Sequence, residues 1–285
     1  MCTTIGIYLF GYAARHASAL FVAALEIFIG CGVIIPLLLF TERLSLTQIF
    51  AEPRQENWLW LGAASVFGFV GGNLFSLINL KSAGERTSSL LSPAITASTI
   101  LLSVSGFNEP ITSLKIAAFI VTLSAVILFI TLRTKGQQQK KSATALWSAA
   151  ATVICITLSI ICSVRGVIDT HLSIMHSVFL RLIIALPLLS IALLLAKVQK
   201  LFSFVSPLKF YSAVAGGVIA QTVLAGYLWF YCTYNIGIST FQIIISTLPF
   251  FVYAMDVYVF KRTKASPYFL LTAFIAVVGI FIVLK

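Results

Sequence analysis

The sequence predicts an all-α polytopic membrane protein, a ten-helix bundle built from two inverted five-helix repeats, and three observations lead to this fold class. First, 60% of the residues are hydrophobic and only 9% are charged, whereas soluble domains average about 45–50% and 25%. Second, long apolar runs fill residues 1–132 and 144–284, on either side of the polar stretch 133–141. Third, the second half of the chain repeats landmarks of the first. The bilayer must therefore be the solvent for most of the chain, since a soluble domain of this length cannot bury so much apolar surface.

The repeat is visible when the second half is shifted back by 155 positions. Arg181 then falls on Glu26, and the Ala-Phe-Ile of residues 273–275 falls on the same three residues at 118–120. A unit with an odd number of crossings is inverted relative to its copy, and such inverted repeats are typical of secondary transporters.

A membrane-spanning helix needs about 20 predominantly apolar residues, and this length defines the predicted helices. The full-length spans are 17–40, 57–80, 87–107, 113–133, 144–165, 172–196, 209–235, 238–260 and 267–284. A tenth apolar segment, residues 2–14, would reach only about 20 Å into a hydrocarbon core about 30 Å thick. Because its counterpart 144–165 is full length, we expect a truncated first helix, either from a misassigned start site or because the chain begins inside the membrane.

The duplication also divides the chain into domains. We expect an N-terminal repeat at 1–133, a linker loop at 134–143 and a C-terminal repeat at 144–285. The segment 41–57 carries charges of both signs and is expected to lie on the membrane surface.

The net charge of +11 suggests a nucleic-acid partner, but the positions of the basic residues argue against one. Lys and Arg lie mainly in short loops between apolar runs, as in membrane proteins, and form no helical stripe. The five cysteines lie within apolar runs and show no CxxC spacing. We therefore expect no nucleic acid, metal or cofactor, and as partners a small-molecule substrate, the lipid bilayer, and a coupling proton or counter-substrate.

Three of the ionisable residues inside predicted spans stand out, Glu26, Arg181 and Asp256, because such groups are costly there and call for an explanation. Inverted symmetry brings Glu26 and Arg181 to comparable depth. One hypothesis is a zwitterion clamp, in which Arg181 binds a substrate carboxylate and Glu26 binds an ammonium group or a coupling proton. The alternatives are a structural ion pair between the two helices, or an Arg181 side chain that extends to the membrane interface.

Asp256 lies near the end of its predicted helix, close to Lys261 and Arg262. It is either an interfacial counter-charge for these basic residues or a proton-coupling carboxylate that faces a cavity. Further candidates for substrate binding are polar and aromatic residues within the spans: Asn73, His176, Gln221, Tyr227, Trp229 and Tyr253. For each of them helix packing is the competing interpretation, and for His176 this means a satisfied interhelical hydrogen bond.

Pro93 and Pro249 fall together when one gap is allowed in the repeat alignment. Proline removes a backbone donor and bends a helix. Placed symmetrically, the two prolines are candidate pivots for gating, and the alternative is that the bends only shape the bundle.

Three segments resemble the repeat signature of the EamA-type transporters, within the drug/metabolite transporter superfamily. They are residues 79–84 (Asn-Leu-Lys-Ser-Ala-Gly), 88–93 (Ser-Ser-Leu-Leu-Ser-Pro) and 108–112 (Asn-Glu-Pro-Ile-Thr). The second half repeats the pattern more loosely in residues 239–249. The resemblance implies alternating-access transport of a small organic solute, with a cavity between the repeats lined by helices one, three, four, six, eight and nine.

Two residues depart from the pattern of the family that the chain resembles. Glu26 stands where the first repeat usually carries Arg, and Lys264 stands where the second repeat usually carries Glu. These departures bear on the substrate and on the coupling ion rather than on the fold.

The expected substrate is an amino acid or a similar zwitterionic or amphipathic metabolite, since the site offers one cation and one anion. One alternative is a nucleotide-sugar or sugar-phosphate exchanger, which needs several cations in its cavity. Another is a membrane-embedded lipid-modifying enzyme or scaffold, whose polar groups cluster at one interface. The sequence contains no HExxH, GxSxG or Walker A motif, so we expect no enzyme. We expect a monomer or homodimer in a bacterial cytoplasmic (inner) membrane.

Overall fold

The fold is taken from a computed structural model, which describes residues 1–43, 45–107, 112–133, 143–167, 172–196, 207–262 and 267–283. The predicted linker 134–143 lies outside the described residues except for its last position. Lys264 and residues 108–111 of the family signature also lie outside them.

The described part of the first half is helical almost throughout. Its helices are α1 (Cys2–His16), α2 (Ala19–Thr41), α3 (Leu46–Ala51), α4 (Gln55–Ser65), α5 (Asn73–Ser89), α6 (Leu91–Phe107) and α7 (Ser113–Arg133). A π-helical segment, Val66–Gly72, joins α4 to α5. The short helix α3 lies in the segment that was predicted to be on the surface, and a capping box of Ser45 and Gln48 starts it.

The second half follows the same order. Its helices are α8 (Ala143–Arg165), α9 (Ile174–Leu195), α10 (Pro207–Gly217), α11 (Ala225–Ile236), α12 (Ile238–Ile245), α13 (Leu248–Ala254) and α14 (Pro267–Val283). A second π-helical segment, Val218–Leu224, joins α10 to α11, and a third, Met255–Val259, extends α13.

Among the described residues, six helical stretches are long and apolar enough to cross a membrane. They are Ala19–Thr41, Gln55–Ser89, Ala143–Arg165, Ile174–Leu195, Leu208–Ile236 and Ile238–Val259. Shorter apolar helices cover Leu91–Ser103, Ser113–Leu128 and Tyr268–Ile282, while α1 has 15 residues. The prediction of an all-α, multi-pass membrane protein is confirmed, and the number of ten crossings stays a prediction.

Local features recur at matching places in the two halves. Ser18 caps α2 by accepting a hydrogen bond from the backbone N–H of Phe21 at 3.2 Å, and Ser173 caps α9 by accepting one from His176 at 3.0 Å. These two serines are 155 positions apart. Gly84 and Gly237 interrupt the backbone with φ of 79° and 82°. Both halves therefore bend the chain with the same local devices.

Some helix contacts link matching parts of the two halves. The second helices of the halves, α2 and α9, pack on each other, and so do the last helices, α7 and α14. The contact of α1 with α10 has a counterpart in the contact of α8 with α4. Such contacts are expected for two related copies, and the division into two repeats stays a prediction.

Candidate functional site

A cavity of about 310 Å³ lies between the two halves of the chain. Its walls come from α1, α2, α5, α6, α8, α9, α11, α12 and α13 and from the first two π-helical segments. Ligand sites for small molecules span roughly 300–1,000 Å³, so this cavity matches the smallest class of solutes. Four of the predicted residues, Glu26, Asn73, Arg181 and Gln221, line it together.

Glu26 connects three helices at the cavity. The residue is only 2% exposed, in the middle of α2. Its Oε2 accepts a hydrogen bond from Asn73 Nδ2 at 2.5 Å, and its Oε1 accepts one from Thr222 Oγ1 at 2.6 Å. Asn73 directly follows the first π-helical segment, and Thr222 lies within the second. Such segments are frequent at functional sites, and here they bring one donor from each half to a single carboxyl group.

Arg181, on α9, has no carboxylate partner among the described residues. Its guanidinium lies over the rings of Phe69 and Phe230, with its Cζ 5.0 Å and 5.7 Å from their centroids. Nη2 donates to Ser159 Oγ at 3.1 Å, and Nε lacks a hydrogen-bond partner within the described residues. The structural ion pair with Glu26, one of the alternatives considered from sequence, does not form here.

Gly68 keeps the space beside Arg181 open. A Cβ atom at this position would lie 2.3 Å from Ser159 Oγ and 2.9 Å from Arg181 Nη2. No side chain larger than hydrogen fits without moving the guanidinium or the serine that holds it. The first π-helical segment therefore contributes a glycine to the cavity wall as well as its neighbour Phe69.

Gln242 is a cavity residue that sequence reasoning missed. It lies on α12, is 1% exposed, and its Oε1 has no hydrogen-bond partner in the described part of the chain. Gln221 also lines the cavity with an unpartnered Oε1. The signal was present in the sequence, because Gln242 is an isolated amide immediately before the apolar run Ile243–Ile245.

The other predicted binding residues lie at different places. Trp229 lines the cavity, and its ring meets Phe230 edge-on at 4.9 Å between centroids. His176 lies outside the cavity lining, with Nε2 2.6 Å from the carbonyl oxygen of Ile49 and Nδ1 3.4 Å from Glu52 Oε2. It thereby connects α9 to the surface helix α3.

Two tyrosines complete the predicted set, and neither belongs to the cavity lining. Tyr227 is 36% exposed and stacks on Tyr231 with 6.3 Å between ring centroids. Tyr253 is buried and packs on Phe269 at 4.8 Å, in a cluster of α7, α13 and α14.

Pro93 and Pro249 stand at the starts of helices. Pro93 lies in the first turn of α6, which Leu90 separates from α5. Pro249 lies in the first turn of α13, which Ser246–Thr247 separate from α12. Proline is well tolerated in a first turn because the missing N–H has no helical partner there. Cavity-lining residues flank both breaks.

Hydroxyl groups satisfy backbone carbonyls at the two breaks. Ser89 donates to the carbonyl oxygen of Arg86 at 2.7 Å and Ser92 donates to that of Ser89 at 2.9 Å. In the second half, Ser246 and Thr247 donate to Ile243 and Ile244, each at 2.6 Å. Broken helices are tolerated in a membrane where side chains supply such partners.

Asp256 belongs to an ionic cluster of five residues, Arg15, Glu85, Arg86, Asp256 and Arg262. Asp256 is 1% exposed and accepts a hydrogen bond from Arg86 Nε, while Arg262 Nη1 lies 4.0 Å from its Oδ1. Arg15 pairs with Glu85 at 2.7 Å. Asp256 is thus a counter-charge for Arg262, as one sequence interpretation held, and also for Arg86 of the other half. It does not belong to the cavity lining.

Comparisons with known proteins fit this architecture. The profile of the EamA-like transporter family matches residues 1–131. A solved structure, described only as a crystal structure of a protein, has the same fold with a TM-score of 0.73 and 16% sequence identity, and the match covers 99% of this chain and 96% of that one. A comparison with curated proteins gives no match.

Members of the matched family are membrane transporters of small solutes, and the match supports the prediction of a transporter at that level. The chain is an integral, multi-pass membrane protein. The resemblance of residues 79–112 to the family signature is confirmed by this family model, which matches residues 1–131 and belongs to the drug/metabolite transporter superfamily.

Proposed function

We propose that this protein is a secondary transporter that moves an amino acid or a similar zwitterionic or amphipathic metabolite across the membrane by alternating access. The observation that carries the proposal is Arg181, a cavity-lining guanidinium without a carboxylate partner in the described residues. A membrane-embedded cation is costly and needs a compensating role. The planar guanidinium fits the two oxygens of a carboxylate.

The size and charge of the cavity favour this substrate class over sugar phosphates and nucleotide sugars. Phosphate groups carry more charge and are usually bound by several cationic side chains. Of the Lys and Arg residues that the structure describes, Arg181 alone lines the cavity. Its volume of about 310 Å³ also suits a small metabolite better than a nucleotide sugar.

The arrangement of polar groups argues against a lipid-modifying enzyme or scaffold. Such a protein would cluster its polar residues at a membrane interface. Here Glu26, Asn73, Arg181 and Gln221 converge on one internal cavity to which both halves contribute.

Two features support alternating access, namely a broken helix in each half and an ionic cluster that joins the halves. Each half has a helix broken beside the cavity, close to Pro93 and to Pro249, and broken helices next to a substrate site are typical of transporters that rock one repeat against the other. The ionic cluster ties α5 to the π-helical extension of α13. Rocking of one half against the other would disturb this pair, since Arg86 and Asp256 belong to different halves.

The energy for uphill transport comes from a proton gradient or from a counter-substrate. Glu26 is the candidate proton carrier, because it is the one carboxyl group among the described residues that line the cavity. The proposal places the protein in a bacterial cytoplasmic membrane, as a monomer or a homodimer.

Arg181→Ala tests the proposal in proteoliposomes that contain the purified protein. We expect uptake of labelled amino acids to fall by about tenfold to hundredfold, since hydrogen bonds to a charged group are worth about 1.5–3 kcal/mol. The matched control is Arg165→Ala, an exposed arginine that lies over Trp60 outside the cavity. Uptake by Arg181→Ala at the level of Arg165→Ala, with both proteins folded, eliminates the carboxylate role.

A further inference from the structure

We infer that Gln242 binds the ammonium group of an α-amino acid whose carboxylate lies on Arg181, so that the substrate class is neutral α-amino acids rather than simple carboxylates. The inference rests on the proposed transport function and adds to it the group that recognises the second charge of the substrate.

Gln242 is a buried acceptor without a donor. Its Oε1 accepts no hydrogen bond from the described residues, although the side chain is 1% exposed and lines the cavity. Buried polar atoms in folded proteins almost always have partners, because leaving one unpaired costs free energy. A ligand in the cavity is the natural source of the missing donor.

The backbone at Gln242 is held firmly. Its carbonyl oxygen accepts a hydrogen bond from Thr96 Oγ1 at 2.9 Å, which joins α12 to α6. The neighbouring residues Phe241 and Ile243 are 8% and 0% exposed. A side chain on such a fixed support offers its amide at a defined position, which is what selective recognition requires.

Two other acceptors line the cavity, Gln221 and Glu26. Gln221 Oε1 also lacks a partner among the described residues, but Gln242 is the more deeply buried of the two amides. Glu26 already accepts one hydrogen bond on each oxygen, from Asn73 and Thr222, whereas Gln242 Oε1 accepts none from the described part of the chain. An ammonium group carries three N–H donors, one of which this oxygen can accept.

The rest of the lining indicates an uncharged, mainly apolar side chain on the substrate. Ile95, Ile156, Ile160 and Trp229 contribute to the walls. With Arg181 and Gln242 occupied by the carboxylate and the ammonium group, these residues provide an apolar surface for the remaining part of an amino acid.

Paired probes that differ only in the amino group test the inference. Binding of L-leucine is compared with binding of 4-methylpentanoate, and L-phenylalanine with 3-phenylpropanoate, on the purified full chain in lipid nanodiscs. Gln242→Leu should weaken binding of both amino acids by about tenfold or more. Binding of the two acids that lack nitrogen should stay within about threefold of the intact protein.

Two further variants make the experiment decisive. Gln242→Glu keeps the shape and the acceptor, so it should retain the amino acids and weaken the two nitrogen-free acids through charge repulsion. Gln55→Leu makes the same exchange as Gln242→Leu at an exposed position outside the cavity and should leave every affinity unchanged.

Three results overturn the inference. They are equal weakening of both probe classes by Gln242→Leu, amino-acid affinities of Gln242→Leu that equal those of Gln55→Leu, and an intact protein that binds neither amino acid. If the nitrogen-free acids still bind in an Arg181-dependent way, the carboxylate site survives and only the role of Gln242 fails. If no carboxylate of either class binds, the proposed function fails as well.

Discussion

At the scale of single residues, the two charged groups that line the cavity, Arg181 and Glu26, have different environments. Arg181 rests on two aromatic rings and keeps an unpartnered Nε in the described structure. Glu26 has both oxygens engaged by donors that belong to different halves. The guanidinium is therefore available to a substrate, while the carboxyl group is positioned to respond to movements between the halves.

Glu26→Gln tests the role of the carboxyl group as a proton carrier. A carboxamide cannot take up or release a proton, so uphill uptake driven by an imposed pH gradient should be abolished. Downhill exchange of labelled for unlabelled substrate should persist, because the cavity and Arg181 remain. The measurement is proteoliposome transport with and without the gradient.

The control for this experiment is Glu56→Gln, an exposed carboxylate in the first turn of α4. It should behave as the intact protein in both assays. A Glu26→Gln protein that still concentrates substrate in response to the pH gradient would show that the proton binds elsewhere or that a counter-substrate drives transport.

The sequence predicts the charged members of the site better than its neutral members. Glu26 and Arg181 stand out because an ionisable group in a membrane span requires an explanation. Tyr227, Tyr253 and His176 lie outside the cavity lining, and Gln242 was missed. In a span that is apolar on every side, the sequence periodicity does not reveal which face meets the cavity.

At the scale of elements, two glycines turn the chain between helices at matching places. Gly84 has φ 79° and ψ 170°, and Gly237 has φ 82° and ψ 159°. This region of backbone conformation is essentially restricted to glycine. The breaks before α6 and α13 follow these two glycines within about three turns of helix.

Gly84→Ala should destabilise the protein by about 1–3 kcal/mol. Nothing lies within 4 Å of a Cβ atom at this position, so the expected loss comes from the backbone conformation alone. Gly32→Ala is the matched control, since this helical glycine also has nothing within 4 Å and lacks a positive φ. The measurement is the apparent Tm of each variant in the same detergent.

We expect Gly84→Ala to melt several degrees below the intact protein and Gly32→Ala to melt at or above it, because Ala is favoured over Gly within a helix. Equal melting temperatures for the two variants would contradict the assigned backbone strain.

Element boundaries show the limit of sequence reasoning at this scale. Apolar length located the spans to within a few residues, as the predicted 144–165 and the observed Ala143–Arg165 illustrate. The π-helical segments at Val66–Gly72 and Val218–Leu224 were not predicted. They depend on how the backbone adapts to a neighbouring helix, and that information is tertiary.

At the scale of the whole molecule, the two halves share their serine caps, their glycine breaks and a π-helical segment before α5 and before α11. The cavity takes residues from both halves, and the ionic cluster joins them a second time through Arg86 and Asp256. A transporter built in this way needs only the relative movement of two similar units to expose one central site alternately to either side.

The central claim is that the two units are inverted, and the accessibility of two equivalent surface positions tests it most directly. Ser82 and Asn235 are both exposed, and each lies two residues before the positive-φ glycine of its half. Single cysteines are placed at each site after the five native cysteines are replaced, and intact cells are treated with a membrane-impermeant maleimide. We predict that one position reacts only from outside and the other only after the cells are opened. Labelling of both positions from the same face of the membrane would contradict the account.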